Sequence, residues 1–196
     1  MPKKTIILLF IICFCFAAKA QTADQVYDKF LDFNDARSHN NLAKTLALGQ
    51  EILANVGKLP AKTRICFYNA LAKAYEDNKE FGKALPYYET VAKAAPNYYV
   101  VHRALGYIYL MPADDLYKKL QATKDKAAAA LLLEDYKKAV LKALPHLEKA
   151  QACDPSDETL TLIKLLYKNI KDDAATKSLN GRLTTLSKNC IDLITE

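Results

Sequence analysis

Apolar positions recur every three or four residues along almost the whole chain. They nowhere alternate with the period of two that a half-buried strand requires, so the pattern predicts an all-α protein. Thr22-x-x-Gln25 reads as a capping box opening a helix that carries Val26, Phe30 and Phe33. A second helix, about Ser38 to Asn55, carries Leu42, Leu46, Gly49, Ile52 and Leu53. Gly57 closes it and Pro60 opens the next. Helices are then expected at about Ala61–Asp77 and Glu80–Ala95, the latter kinked at Pro86. A fifth, Tyr98 to Met111, is expected to stop at Pro112, with a short helix at about Ala113–Thr123 and a long one at about Asp125–Ala152. Asp154-Pro155 supplies a cap and first-turn proline for a helix reaching Asn169. The last helix is expected to start at Asp172-Asp173 and run to about Leu193, with Leu179, Leu183, Leu186 and Ile191 as its apolar side.

The pattern also repeats at long range. From Ile65 to Tyr98 the chain carries Tyr68-x2-Leu71-Ala72-x2-Tyr75, then Ala84-x3-Tyr88, then Pro96. The next residue, Tyr99, begins His102-x2-Leu105-Gly106-x2-Tyr109 in the same register. Its second half, Ala143-x3-Leu147-x2-Ala150-x4-Pro155, is displaced by an insertion. A separate motif fixes the pairing, because Lys83-Ala84-Leu85-Pro86-x2-Glu89 returns as Lys142-Ala143-Leu144-Pro145-x2-Glu148. Ile163, Lys164 and Tyr167 mark a weaker unit after Pro155. One helix pair cannot bury its apolar face alone, so a stacked array of three to four pairs is expected.

These residues resemble the tetratricopeptide repeat family, with Tyr for its usual Trp, Ala for Gly and Tyr for Phe. The resemblance implies a right-handed superhelix of helix-turn-helix pairs. It divides the chain into a degenerate pair at 21–60, a repeat at 65–98, a repeat at 99–156 with an insertion at 112–133, and a degenerate pair at 157–196. It further implies that the first helices line a groove, faced by Asn69, Lys73, Glu76 and Asp77 in one repeat and by Arg103, Tyr107, Leu110 and Met111 in the next. An acidic or carboxylate-bearing peptide contacting Lys73 and Arg103 is the expected ligand. The family's carboxylate clamp is matched poorly, since Asn69 and Lys73 stand in swapped order and Ala104 replaces the second Asn.

Residues 1–20 read separately. Lys3 and Lys4, an apolar run from Ile6 to Ala18, and Ala18-Lys19-Ala20 form a bacterial-type secretory signal with cleavage before Gln21. Ile12 and Phe14 exclude a lipobox at Cys13 or Cys15. Cleavage removes Lys3, Lys4 and Lys19 from the 28 basic residues. The 25 left stand against 22 acidic ones, so the net charge falls from +6 to +3. The expected product is exported, periplasmic or secreted, with no membrane span. Its three cysteines, Cys66, Cys153 and Cys190, are expected as mostly buried thiols, because helix ends in successive repeats stand about 8–10 Å apart, beyond disulfide reach.

Little in the sequence points to catalysis. His39, His102 and His146 are far apart, and His102 takes a large core position of its repeat, so no metal site is expected. There is no phosphate-binding Gly-rich loop, no nucleophile elbow and no zinc-protease motif. Asp114-Asp115 and Glu134-Asp135 are helix neighbours that do not face each other. Lys118, Lys119, Lys124 and Lys126 are offset by Asp114, Asp115 and Asp125 and read as a solvated face. A clustered basic stripe for nucleic acid is lacking. The expected function is therefore non-catalytic protein or peptide binding without a cofactor. The alternatives are a structural subunit of a cell-envelope assembly or a small-molecule or glycan binder.

Overall fold

The computed structural model describes residues 21–195, so the signal sequence expected at residues 1–20 lies outside the described residues. Among these residues the chain is all-α. The helices are α1 (Ala23–Ser38), α2 (Leu42–Leu53), α3 (Ala61–Asp77), α4 (Phe81–Ala94), α5 (Tyr99–Ala122), α6 (Lys126–Cys153), α7 (Asp157–Asn169) and α8 (Asp173–Leu186), with a 3-10 turn at Val56–Lys58. The Thr22–Gln25 capping box is formed at the start of α1. No described helix is long and apolar enough to cross a membrane.

The helices pack as four consecutive pairs, α1/α2, α3/α4, α5/α6 and α7/α8, with α2, α4 and α6 bridging to the next pair. Three of the four pairs turn the same way. Asn40, Lys79 and Lys171 adopt positive φ just beyond the first helix. The following amide then reaches back to the helix, from Asn41 to the Ala36 carbonyl, from Glu80 to Tyr75, and from Asp172 to Tyr167. This left-handed close satisfies carbonyls that a helix end would otherwise leave unpaired.

Small residues set the spacing between neighbouring helices. A Cβ on Gly106 of α5 would stand 2.6 Å from the Leu147 side chain of α6, and one on Gly49 of α2 would stand 2.6 Å from Leu71 of α3. One core runs through the array, from Phe30, Phe33 and Phe67 through Leu71, Leu105 and Leu147 to Ile163 and Leu179.

The structure departs from the sequence expectation in four places. Helix α5 does not stop at Pro112 but continues to Ala122. Pro86, Pro112 and Pro145 all lie on exposed helix faces, where water can satisfy the freed carbonyl, and the α5–α6 contact, the most extensive in the molecule, holds the helix through the proline. Helix α7 is capped not by Asp154 but by Ser156, whose hydroxyl accepts from the Thr159 amide at 3.2 Å. Asp154 instead pairs with Arg103. Helix α8 ends at Leu186, short of Leu193.

The fourth departure concerns the cysteines: Cys153 and Cys190 form a disulfide across a Cα separation of 5.5 Å. The expected distance assumed that both lie on helices. Cys190 lies beyond α8, where the chain leaves helical geometry and turns back. Ile191 there accepts from the Tyr99 amide at 3.1 Å and donates to the Asn97 carbonyl at 2.8 Å. Lys149, 6% exposed, donates to the Leu186 and Asn189 carbonyls and the Asn97 side chain. Burial lowers its pKa. Cys66 stays outside the bridge, its thiol donating to the Ile194 carbonyl at 3.7 Å.

Candidate functional site

The first helices of the pairs line a continuous groove. A cavity of about 810 Å³ is bordered by Asn69, Lys73 and Glu76 of α3, by Arg103, Tyr107 and Met111 of α5, and by Leu162 of α7. A second, of about 640 Å³, lies between α1, the start of α2 and α3. Both share Arg37, Ala70 and Lys73, so the groove crosses α1, α3, α5 and α7. The repeat register thus brings together Asn69, Lys73, Glu76, Arg103, Tyr107, Leu110 and Met111, while Asp77 borders the second cavity.

Each polar member already has a partner within the chain. Lys73 pairs with Asp77 and, at 3.5 Å, with Glu76. The Asp77 hydrogen bond foremost, with Glu76 adding charge, holds the Lys73 pKa above that of a free lysine. Glu76 accepts from the Tyr88 hydroxyl at 2.6 Å, and burial, with this carboxylate adding to it, raises the Tyr88 pKa. Asn69 donates to the Tyr98 hydroxyl at 3.3 Å. Arg103 reaches the Asp154 carboxylate at 2.5 Å and its carbonyl at 3.3 Å. The Tyr107 hydroxyl lies 3.4 Å from that of Thr159.

Apart from the exposed Asp114 carboxylate, what the groove leaves unsatisfied is apolar. Val100, Tyr107 and Met111 are 39, 45 and 48% exposed along one face of α5. Leu110, Leu162 and Phe81 continue that surface. The sequence reading missed Arg37, Val100, Phe81 and Leu162. Val100 was within reach, since it precedes Arg103, Tyr107 and Met111 by the three-to-four spacing of a single helical face.

Among the described residues no three His, Cys, Asp or Glu side chains gather as a metal site. His102 and His146, apart in sequence, do meet, with their Nδ1 atoms 2.9 Å apart. The Pro96 carbonyl, 3.1 Å from His102 Nε2, accepts only from a protonated nitrogen. His102 Nδ1 is then the acceptor and His146 Nδ1 the donor. Burial lowers both pKa values, and burial with the neighbouring ring takes His146 to about 4. The pair packs between α5 and α6 rather than lining the groove. Comparison with family models, with curated proteins and with solved structures finds no match to the chain.

Proposed function

We propose that the chain is an exported, non-catalytic binding module of the tetratricopeptide type, and that the groove across α1, α3, α5 and α7 takes a protein or peptide segment. One observation carries the reading: an apolar surface of Val100, Tyr107, Leu110, Met111 and Leu162 is open to solvent beside the internally paired Lys73, Glu76 and Arg103. Such a surface suits an apolar anchor with its backbone held by polar groups at the edge. The repeated left-handed turns and repeated core positions favour the tetratricopeptide arrangement. The Cys153–Cys190 disulfide favours an oxidising compartment and hence export.

A photo-cross-linking side chain placed at Tyr107 or Met111 tests this in intact cells. The expected result is a discrete protein adduct from both positions and none from Lys138, which projects from α6. Adducts from Lys138 alone would move the interface out of the groove and favour the assembly-subunit alternative.

A further inference from the structure

The insertion does not fold back onto the array. It lengthens α5 and α6 into a hairpin, and between Ala113 and Tyr136 no residue is buried. With 24 and 28 residues these helices are about 36 and 42 Å long, against about 25 Å for the 17 residues of α3. Of the four leucines that call for burial there, Leu116 does pack against the common core, whereas Leu131 is left open to solvent. Leu116, Leu120 and Leu132 are half-buried, and Leu131 is 71% exposed, more than any other large apolar side chain described.

Asp114 and Asp115 stand one helical turn below Lys118 and Lys119, so the charge balance shifts toward positive only at the very end of the hairpin. Asp114, Asp115, Glu134 and Asp135 lie toward the base of the hairpin, where Glu134 and Asp135 pair with Lys137 and Lys138 at 3.3 and 3.1 Å. Lys118, Lys119, Lys124 and Lys126 surround the tip, and among the described residues none of the four has an ion-pair partner. Asp125, between Lys124 and Lys126, caps α6 by accepting from the Ala128 amide at 2.7 Å. The tip therefore combines four unpaired cations with exposed Ala127, Ala130 and Leu131.

We propose that this hairpin tip docks on an anionic lipid surface, with Leu131 entering the headgroup layer and the four lysines contacting lipid phosphates. The tip is a protrusion with no concavity, so it needs surroundings that close around it, as a bilayer interface does. A second copy meeting it tip to tip would bring its own lysines and repel. Neither helix is apolar enough to span, which leaves shallow interfacial contact. Each lysine near such a surface strengthens adsorption by about 5-fold, and salt screens the effect.

The chain has no tryptophan, so a single Leu131→Trp replacement reports on the tip directly. The expected result is a blue-shifted emission with vesicles of phosphatidylglycerol and phosphatidylcholine at low salt. No shift is expected with phosphatidylcholine alone, or from Leu31→Trp on α1. Replacing Lys118, Lys119, Lys124 and Lys126 with Glu in the Leu131→Trp background should reduce partitioning by at least about 100-fold with unchanged helical circular dichroism. The proposal is overturned by the absence of a shift with anionic vesicles, or by partitioning undiminished in the charge-reversed variant. An equal shift on adding soluble polyglutamate would assign the tip to acidic protein instead. A shift that grows with protein concentration without vesicles would assign it to self-association.

Discussion

The Tyr167 hydroxyl donates to the Glu148 carboxylate at 2.5 Å, joining α7 to the second helix of the preceding pair. Tyr109 donates to Glu89 in the same way, and at the first interface the direction reverses, the Gln50 side-chain amide donating to the Tyr75 hydroxyl. In each case a cation from the tyrosine's own pair lies over its ring: Arg182 at 5.4 Å, Lys142 at 4.1 Å and Lys83 at 5.6 Å. The array is thus stapled at three successive interfaces by one arrangement of cation, tyrosine and hydrogen-bond partner.

The three staples differ in burial, and that sets their worth. The Glu148 side chain is 5% exposed and is held by two bonds from Arg182, at 2.6 and 2.9 Å. The Glu89 side chain is 37% exposed, with Lys142 at 3.8 Å. Arg182→Ala would strand a buried carboxylate and should cost about 3 kcal/mol. Lys142→Ala should cost under about 1 kcal/mol, as for other exposed pairs. Urea denaturation of both variants checks this, and equal losses would refute the ranking.

Much of this was legible in the sequence for a physical reason. Helix period and repeat spacing are local properties, so the helix Ala61–Asp77 is legible to the residue, and Asn69, Lys73, Arg103 and Tyr107 border one cavity. Partner choice is not local. Nothing in the sequence says that Arg103 meets Asp154 or that His102 meets His146. Both the disulfide and the end of α8 depend on where the segment after Leu186 turns, which Lys149 and Asn97 decide from elsewhere in the chain. Pro112 misled because the sequence shows the missing amide but not the packing that compensates for it.

The buried histidine pair should make stability depend on pH. Both folded pKa values lie below the ordinary 6.5, with His146 at about 4. The neutral pair's contribution is therefore complete above about pH 6.5 and is lost as pH falls from there toward 4. The urea midpoint should decline across that window. The repeat before this one places Tyr68 and Tyr87 in the same relation, with rings 5.7 Å apart. Replacing both histidines with tyrosine should flatten the decline above pH 4.5. Parallel curves for the two proteins would assign it to other groups.

The C-terminal segment should depend on its bridge. The disulfide spans a sequence separation of 37 residues, and chain entropy gives it about 3–4 kcal/mol. Cys190→Ser, or reduction, should lower the denaturant midpoint accordingly and loosen the segment, so that trypsin cleaves after Lys188 faster than in the oxidised protein. Lys149→Met should accelerate the same cleavage with the disulfide intact, because it removes the bonds to the Leu186 and Asn189 carbonyls. Indifference of that site to both changes would mean that the segment is held by Ile191 and Ile194 alone.

The two groove cations should separate in their effect on folding, although sequence spacing treats them alike. Lys73 pairs with Glu76 and Asp77 on its own helix, and its side chain is 55% exposed. Local pairs of this kind contribute about 0.3–0.5 kcal/mol, so Lys73→Ala should leave stability almost unchanged. Arg103 instead crosses from α5 to the α6–α7 connection, binds both the carbonyl and the carboxylate of Asp154, and lies over the Tyr99 ring at 5.6 Å. Removing it leaves those acceptors to water and should cost about 1–2 kcal/mol. A binding defect in Arg103→Ala would therefore mix fold and contact, whereas one in Lys73→Ala reports the contact alone. Urea midpoints measured alongside partner capture separate the two. A Lys73→Ala variant that loses stability as much as Arg103→Ala would show that the α3 ion pairs support the array rather than edge a ligand site.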